Sequence, residues 1–321
     1  MSDKPLLQIR DLQIGFDTPS GLLLAVRGID LNINEGEITA LVGESGCGKS
    51  LTAMSLLNLV EAPGRITAGQ ILFKNEDILK MGDERLNKMR GAEASIIFQE
   101  PMTALNPVFS VGTQIGEVFI THGNYSKKEA REKAIKLLAH VGIPEPQRRV
   151  DSYPFELSGG MRQRAMIAMA LAMSPSLLIA DEPTTALDVT IQSQILHLIK
   201  NLSHSNQMAV LLITHDIGIV SLVADKIAIM YAGLIMEFGE TRKVLSKPKH
   251  PYTKGLLNSL PSVYVQQKNK KRLEPIPGKV PELREIPEGC VFSNRCTSYD
   301  KSCDTDIPVK SSGKHYYRCV K

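Results

Sequence analysis

The sequence predicts an α/β fold, built on a parallel sheet with its ligand at the carboxyl edge of the strands. Three observations predict it. ALVGESGCGKSLTAM, residues 40–54, places G-x-x-x-x-G-K-[ST] between an apolar run and a helix-like run, the strand, loop and helix setting that a phosphate-binding loop requires. LLIADEP, residues 177–183, is an apolar strand ending in two carboxylates. MAVLLITHD is another such strand, ending at His215. Strands buried on both faces read as continuous apolar runs, and open parallel sheets bind ligands at the strands' carboxyl ends.

Taken in order, residues 6–42 read as β-rich: LLQIRDL, a polar turn at DTPSG, LLLAVRGIDLNI, the turn NEGE, then ITALV entering the loop. Phe16 precedes the first turn, where an aromatic ring either stacks on a purine or joins the core. In the loop, glycines let several N–H groups point at one anion, and the next helix adds its positive end. Lys49 supplies a point charge for the β- and γ-phosphates, and Ser50 a hydroxyl for Mg²⁺. ITAGQILFKNEDI then reads as a β-hairpin-rich insertion, and ASIIFQEPM ends a buried strand at Gln99.

From about residue 106 to 157 the pattern turns helical. EVFITHG and SKKEAREKAIKLLAHVGI carry apolar residues at helical spacing, before Pro144, Pro146 and Pro154 break the run. LSGGMRQ, residues 157–163, sets two glycines at a helix start, open to an anion or simply capped by Ser158. DKIAIMYAGLIMEFGE reads as a β-hairpin, and beyond Thr241 frequent prolines predict a loop-rich appendage.

Composition narrows the function. At 321 residues and 43% hydrophobic content the chain can bury a large core and form roughly two domains. A net charge of +4, with no basic block interleaved with aromatics, gives no support for nucleic-acid binding; the basic run at 266–275 reads as a solvated linker. The N-terminus lacks the form of a signal peptide, which predicts a cytoplasmic chain. The apolar stretch Ala165–Ala180 is short of the roughly 20 residues a bilayer span needs and is interrupted at Ser174-Pro175. Cys290, Cys296, Cys303 and Cys319 cluster near the end of the chain, spaced C-x₅-C-x₆-C-x₁₅-C. In a cytosolic chain this favours metal over disulfides. The spacing departs from the C-x₂₋₄-C pair of most structural zinc sites, whereas a Cys₄ iron–sulfur cluster tolerates looser loops; unligated thiols are the plain alternative.

Together these motifs resemble the ATP-binding subunits of ABC transporters. GESGCGKS matches Walker A, FQEP the Q-loop, LSGGMRQ the signature, LLIADEP Walker B, ALDV the D-loop and ITHD the H-loop, in the family's order over residues 6 to about 240. The resemblance implies a P-loop NTPase domain over 1–245: a RecA-like core, an antiparallel β subdomain and a helical subdomain inserted at about 100–165. By motif, Gly43, Ser45, Gly46, Gly48, Lys49, Ser50 and Leu51 hold ATP, and Ser50 and Gln99 ligate Mg²⁺ with Asp181 behind them. Glu182 is the expected general base and His215 steadies the γ-phosphate; phosphoryl transfer is largely positioning and charge neutralisation. Phe16 matches the adenine-stacking position, and Ser158, Gly160 and Gln163 the signature that meets ATP on a facing subunit.

The match to dipeptide and oligopeptide importer ATPases is nearly full length. PMTALNPVFSVGTQI, KHPYTKGLL and the tail GCVFSNRC…C…HYYRC carry it, with Glu100 and Ala104 as departures where Asp and Ser are common. It implies a tail over 246–321 with a [4Fe–4S] cluster on Cys290, Cys296, Cys303 and Cys319, zinc being the alternative; Cys47 then reads as a small loop residue. It also implies a sister ATPase subunit or second copy, two membrane permeases, an extracytoplasmic peptide-binding protein, and a peripheral place on the cytoplasmic face of the membrane. An importer of nickel or another small solute shares most of these motifs. A non-transport ABC ATPase usually has two fused ATPase units or a long coiled coil.

Overall fold

The computed structural model describes residues 5–100, 104–184, 187–259 and 275–321. Residues 101–103 of the PMTALNP stretch, Ala186 of the D-loop and nearly all of the basic run lie outside the described residues. Of the described residues, 5–33, 38–79 and 213–321 fall in one compact unit, and 34–37 and 80–212 in a second.

In the first unit β1 (Leu7–Thr18) runs antiparallel to β2 (Gly21–Ile33), and β3 (Ile38–Val42) is buried at every residue. β4 (Gly64–Phe73) lies on the other side of β1 and turns into β5 (Glu76–Asp77), so this antiparallel sheet has the order β2-β1-β4-β5. The turn is Lys74-Asn75, both at positive φ (50° and 67°), the backbone of a tight two-residue hairpin. The hairpin expected from ITAGQILFKNEDI is therefore present.

The second unit contains β6 (Ala94–Ile97) parallel to β7 (Leu177–Asp181), with β8 (Ala209–Thr214) following β7 in strand order and carrying the chain back to the first unit. Its helices include Val111–Gly123, Lys127–His140 and Gly159–Leu171. Helix Lys127–His140 buries Ala130, Ala134 and Leu138, one face at i, i+4, i+8, and begins in a capping box. Ser126 Oγ accepts from Glu129 N while the Glu129 carboxylate accepts from Ser126 N, satisfying two helix-end donors.

Back in the first unit, β9 (Lys226–Tyr231) pairs in parallel with β3 and antiparallel with β10 (Leu234–Glu240), through the positive-φ turn Ala232-Gly233. The tail is loop-rich as expected, with only two short 3₁₀ helices among the described residues between Asn258 and Lys310, but regular elements at its two ends join the first unit. It supplies helix Pro251–Asn258, then β11 (Lys310–Ser312) and β12 (His315–Tyr317), and β12 pairs with β10 so that the strands run β11-β12-β10-β9-β3. Val291, Phe292 and Ile307 share one apolar cluster with Val42, Ile229 and Tyr231. Strands of three residues with mixed polarity are too short for a period-two pattern to reveal.

A buried carboxylate ties the tail down. Glu237 on β10 is fully buried and accepts from the backbone N–H of Lys249 (2.7 Å) and His250 (2.9 Å), and its carboxylate lies 2.6 Å from His315 Nε2 on β12. His250 Nδ1 accepts from Tyr252 N at 3.0 Å, which caps helix Pro251–Asn258 and requires a neutral ring. Burial, aided by Lys254, pushes the His250 pKa down to about 3 from an ordinary 6.5.

A base with a depressed folded pKa stabilises fully above its unfolded value and loses that contribution as pH falls. Denaturant unfolding of the wild type should therefore show a term of up to about 1.4 kcal/mol per pH unit as pH drops from 6.5 toward 3. His250→Asn keeps a capping oxygen without a titrating ring and should flatten that term; parallel pH curves for the two proteins would count against it.

Among the described residues no helix is long and apolar enough to cross a membrane.

Candidate active site

The phosphate-binding loop joins β3 to helix Lys49–Ser55 in the first unit. A Cβ on Gly43 would stand 2.2 Å from the Met230 carbonyl oxygen, so no side chain fits where the loop leaves the strand. Gly48 has φ +106° and a Cβ there would meet Ala25 O at 2.9 Å; Gly46, at φ +79°, is exposed. These positions demand glycine for close approach and for left-handed backbone. Lys49 is buried, and its Nζ donates to the carbonyls of Gly43 (2.9 Å) and Glu44 (3.0 Å), which aims the ammonium back across the loop. Ser45 and Ser50 are exposed and Leu51 is half-buried. Cys47 is buried beside Lys49, and burial pushes its thiol pKa up despite the ammonium, which suits a small packed residue rather than a ligand.

The same unit carries Phe16 and His215. Phe16 is half-buried on β1, paired with Leu23 of β2 and Gly64 of β4. His215 is exposed directly after β8. Its neighbours hold its backbone: Asp216 N donates to Thr214 Oγ1 at 3.0 Å, and the Asp216 carboxylate accepts from Gly218 N at 2.7 Å to cap the next helix.

The second unit brings two of the expected residues together. Ile97 of β6 is in register with Ala180 of β7, so Gln99 and Glu182 each lie two residues past that pair. Gln99 Nε2 donates to Glu182 Oε2 at 3.1 Å. Asp181, the last residue of β7, is buried. Glu182 sits at φ +45°, a conformation that costs a non-glycine residue of order 1 kcal/mol or more and clusters at functional sites. The amide thus steadies a carboxylate displayed on strained backbone.

The signature residues also lie in this unit. Ser158 caps helix Gly159–Leu171, its Oγ accepting from Met161 N at 3.3 Å, so the plain capping role is realised. A Cβ on Gly160 would meet Ile191 Cγ2 at 3.0 Å, and Gln163 is buried.

The tail cysteines are all free thiols; Cys290, Cys303 and Cys319 are buried and Cys296 half-buried. Cys290 N donates to Cys303 O at 2.8 Å. Burial first, then the neighbouring cysteines, raise the pKa of Cys290 and Cys296, so the thiols share one neighbourhood. The donor set is that of a thiolate-bound metal, yet among the described residues no group of three or more Cys, His, Asp or Glu side chains is arranged to hold a metal ion. The metal-cluster region expected from the sequence is not borne out by this geometry.

Sequence reasoning overlooked Glu44, Tyr252 and Arg295. Tyr252 Oη accepts from Glu44 N at 3.2 Å, and Arg295 Nη1 lies 2.9 Å from the Glu44 carboxylate. The only signal was Arg next to Cys296 and Glu within the loop motif, and neither spacing marks a contact across 251 positions.

Comparison with known proteins places these features. Residues 26–185 match the ABC transporter family model, and residues 236–303 that of the oligopeptide/dipeptide transporter C-terminal region. The chain is 47% identical over 317 residues to the dipeptide transport ATP-binding protein DppD of Bacillus subtilis, covering 98% of this chain and 94% of that protein. It is 46% identical to the oligopeptide transport ATP-binding protein OppD of the same organism, covering 98% of this chain and 88% of the other. Among solved structures, a dimeric bacterial ABC transporter cassette aligns with a TM-score of 0.66 at 28% identity, over 74% of this chain and 99% of that one. With Lys49 in its loop, Glu182 past its strand and likeness along nearly its whole length to DppD and OppD, this chain belongs to the ABC transporter ATP-binding proteins that carry the oligopeptide/dipeptide C-terminal region.

Proposed function

We propose that this chain is the ATP-hydrolysing subunit that powers import of dipeptides or oligopeptides through a membrane ABC transporter. The observation that carries the chemistry is Glu182: a carboxylate directly after a buried strand, on strained backbone, hydrogen-bonded by Gln99. Lys49 and the backbone of residues 43–50 hold the phosphates of ATP. Ser50 and Gln99 ligate Mg²⁺, backed by Asp181, and the ion supplies charge neutralisation when bound. Glu182 accepts a proton from the attacking water, His215 orients that water and the γ-phosphate, and ADP and phosphate leave. Phe16 stacks on the adenine.

Residues 1–245 form the ATPase domain, with a helical subdomain inserted at about 100–165, and 246–321 the importer tail. Ser158, Gly160 and Gln163 serve the ATP of a facing subunit, either a sister ATPase or a second copy, and the pair sits on two permeases at the cytoplasmic face of the membrane. An extracytoplasmic binding protein selects the peptide. Support for these assignments is the likeness to DppD and OppD and the dimeric state of the aligned cassette. For the tail, Cys290, Cys296, Cys303 and Cys319 would have to converge from the present arrangement, which forms no metal-holding group among the described residues, to bind a [4Fe–4S] cluster, which would then stabilise the tail. Support here is the all-thiol donor set in one neighbourhood and the freedom of Cys₄ clusters from fixed ligand spacing.

Two outcomes follow. Glu182→Gln in the assembled transporter should cut phosphate release about a hundred-fold or more while nucleotide is retained; undiminished turnover would remove Glu182 as the base. Protein purified without oxygen should be brown, with iron and acid-labile sulfide in equal amounts, and Cys303→Ser should lose both and melt lower with transport-coupled ATPase intact at saturating ATP. A colourless wild type with stoichiometric zinc would put zinc on these thiols instead.

A further inference from the structure

The phosphate loop is held by residues from the far end of the chain. Glu44, the second residue of the loop, is fixed at three places: its N–H donates to Tyr252 Oη (3.2 Å), its carbonyl accepts from Lys49 Nζ (3.0 Å), and both carboxylate oxygens accept from Arg295 Nη1 (2.9 and 3.1 Å). Arg295 is the more buried partner, its side chain 5% exposed against 29% for Glu44. Its Nε donates to Pro277 O at 2.8 Å, and Nη1 lies 3.4 Å from Tyr231 Oη. Phe292 meets the rings of Tyr231 and Tyr252 at 5.3 and 5.2 Å. Arg295 and Phe292 both lie between Cys290 and Cys296.

We propose that Arg295 is a positioning residue for ATP, acting through Glu44, so that the cysteine-bearing loop sets the affinity of the phosphate loop for nucleotide. The Glu44 carbonyl holds the Lys49 ammonium; if the carboxylate is released, Glu44 turns and that carbonyl moves with it, taking Lys49 off its aim. A salt bridge that merely fastened the tail would need no contact with the residue that orients Lys49. The inference rests on reading residues 43–50 as the ATP site.

The test is the dissociation constant of methylanthraniloyl-ATP with Mg²⁺ for the purified full-length chain, with thermal melting in parallel. On charge alone, Glu44→Ala removes a negative group beside a triphosphate and should tighten binding. Lost positioning weakens it instead, and about a ten-fold rise in dissociation constant is expected for Glu44→Ala and for Arg295→Met. The double variant should bind no more weakly than the weaker single, because the two residues act as one unit. Arg295→Lys should recover part of the affinity, keeping the charge but losing the planar fork. Unchanged or tighter binding by folded Glu44→Ala, or additive losses in the double variant, would overturn the proposal. Should Arg295→Met fail to fold, Glu44→Ala decides alone. Lys49→Ala is the control for the site: if it binds like the wild type, the ATP reading fails rather than the clamp.

Discussion

The close approach at Gly43 is the constraint on which the first unit depends. With the Met230 carbonyl 2.2 Å from where a Cβ would lie, the end of β3 is pressed onto β9 with no space for a side chain. The chain can leave the sheet only in a tight turn. That turn exposes Ser45 and Gly46 while burying Cys47 and the stem of Lys49. A buried lysine is costly unless its ammonium finds acceptors, and the carbonyls of Gly43 and Glu44 supply them. Loop shape and charge placement are thus one consequence of one steric fact.

The tail is part of the same solution. A segment with so many prolines and so few long apolar runs cannot build a core of its own, and here it borrows one, setting Phe292 against Tyr231 and Tyr252. Glu237 is the counterpart in polar terms. A buried carboxylate with backbone and imidazole partners specifies one arrangement of β10, β12 and the chain around His250, because any other leaves a charge unsatisfied.

How much of this was visible in the residues depends on the range of the interaction. The apolar runs at 38–42, 177–181 and 209–214 were readable as strands because burial on both faces leaves a continuous signature. The turns at Lys74-Asn75 and Ala232-Gly233 sat between readable strands. The pairing of Gln99 with Glu182 followed once β6 and β7 were adjacent, but register itself is invisible in a single chain. β11 and β12 were missed because strands of three residues carry no periodicity, and the Arg295–Glu44 pair because ion pairs between distant positions leave no local pattern. For the four cysteines the residue type was readable while the converged geometry was not found among the described residues.

The pairing of β12 onto β10 bears on solubility. An unpaired strand edge is a template for other chains, and proteins cover such edges or break them with charge or irregularity. β10 would, without β12, present unpaired backbone groups at Glu237 and Phe238. The last dozen residues therefore act as a guard strip against sticky self-association. Removing residues 310–321 alone would leave the nucleotide-binding motifs, Tyr252 and Arg295 in place and lose the guard.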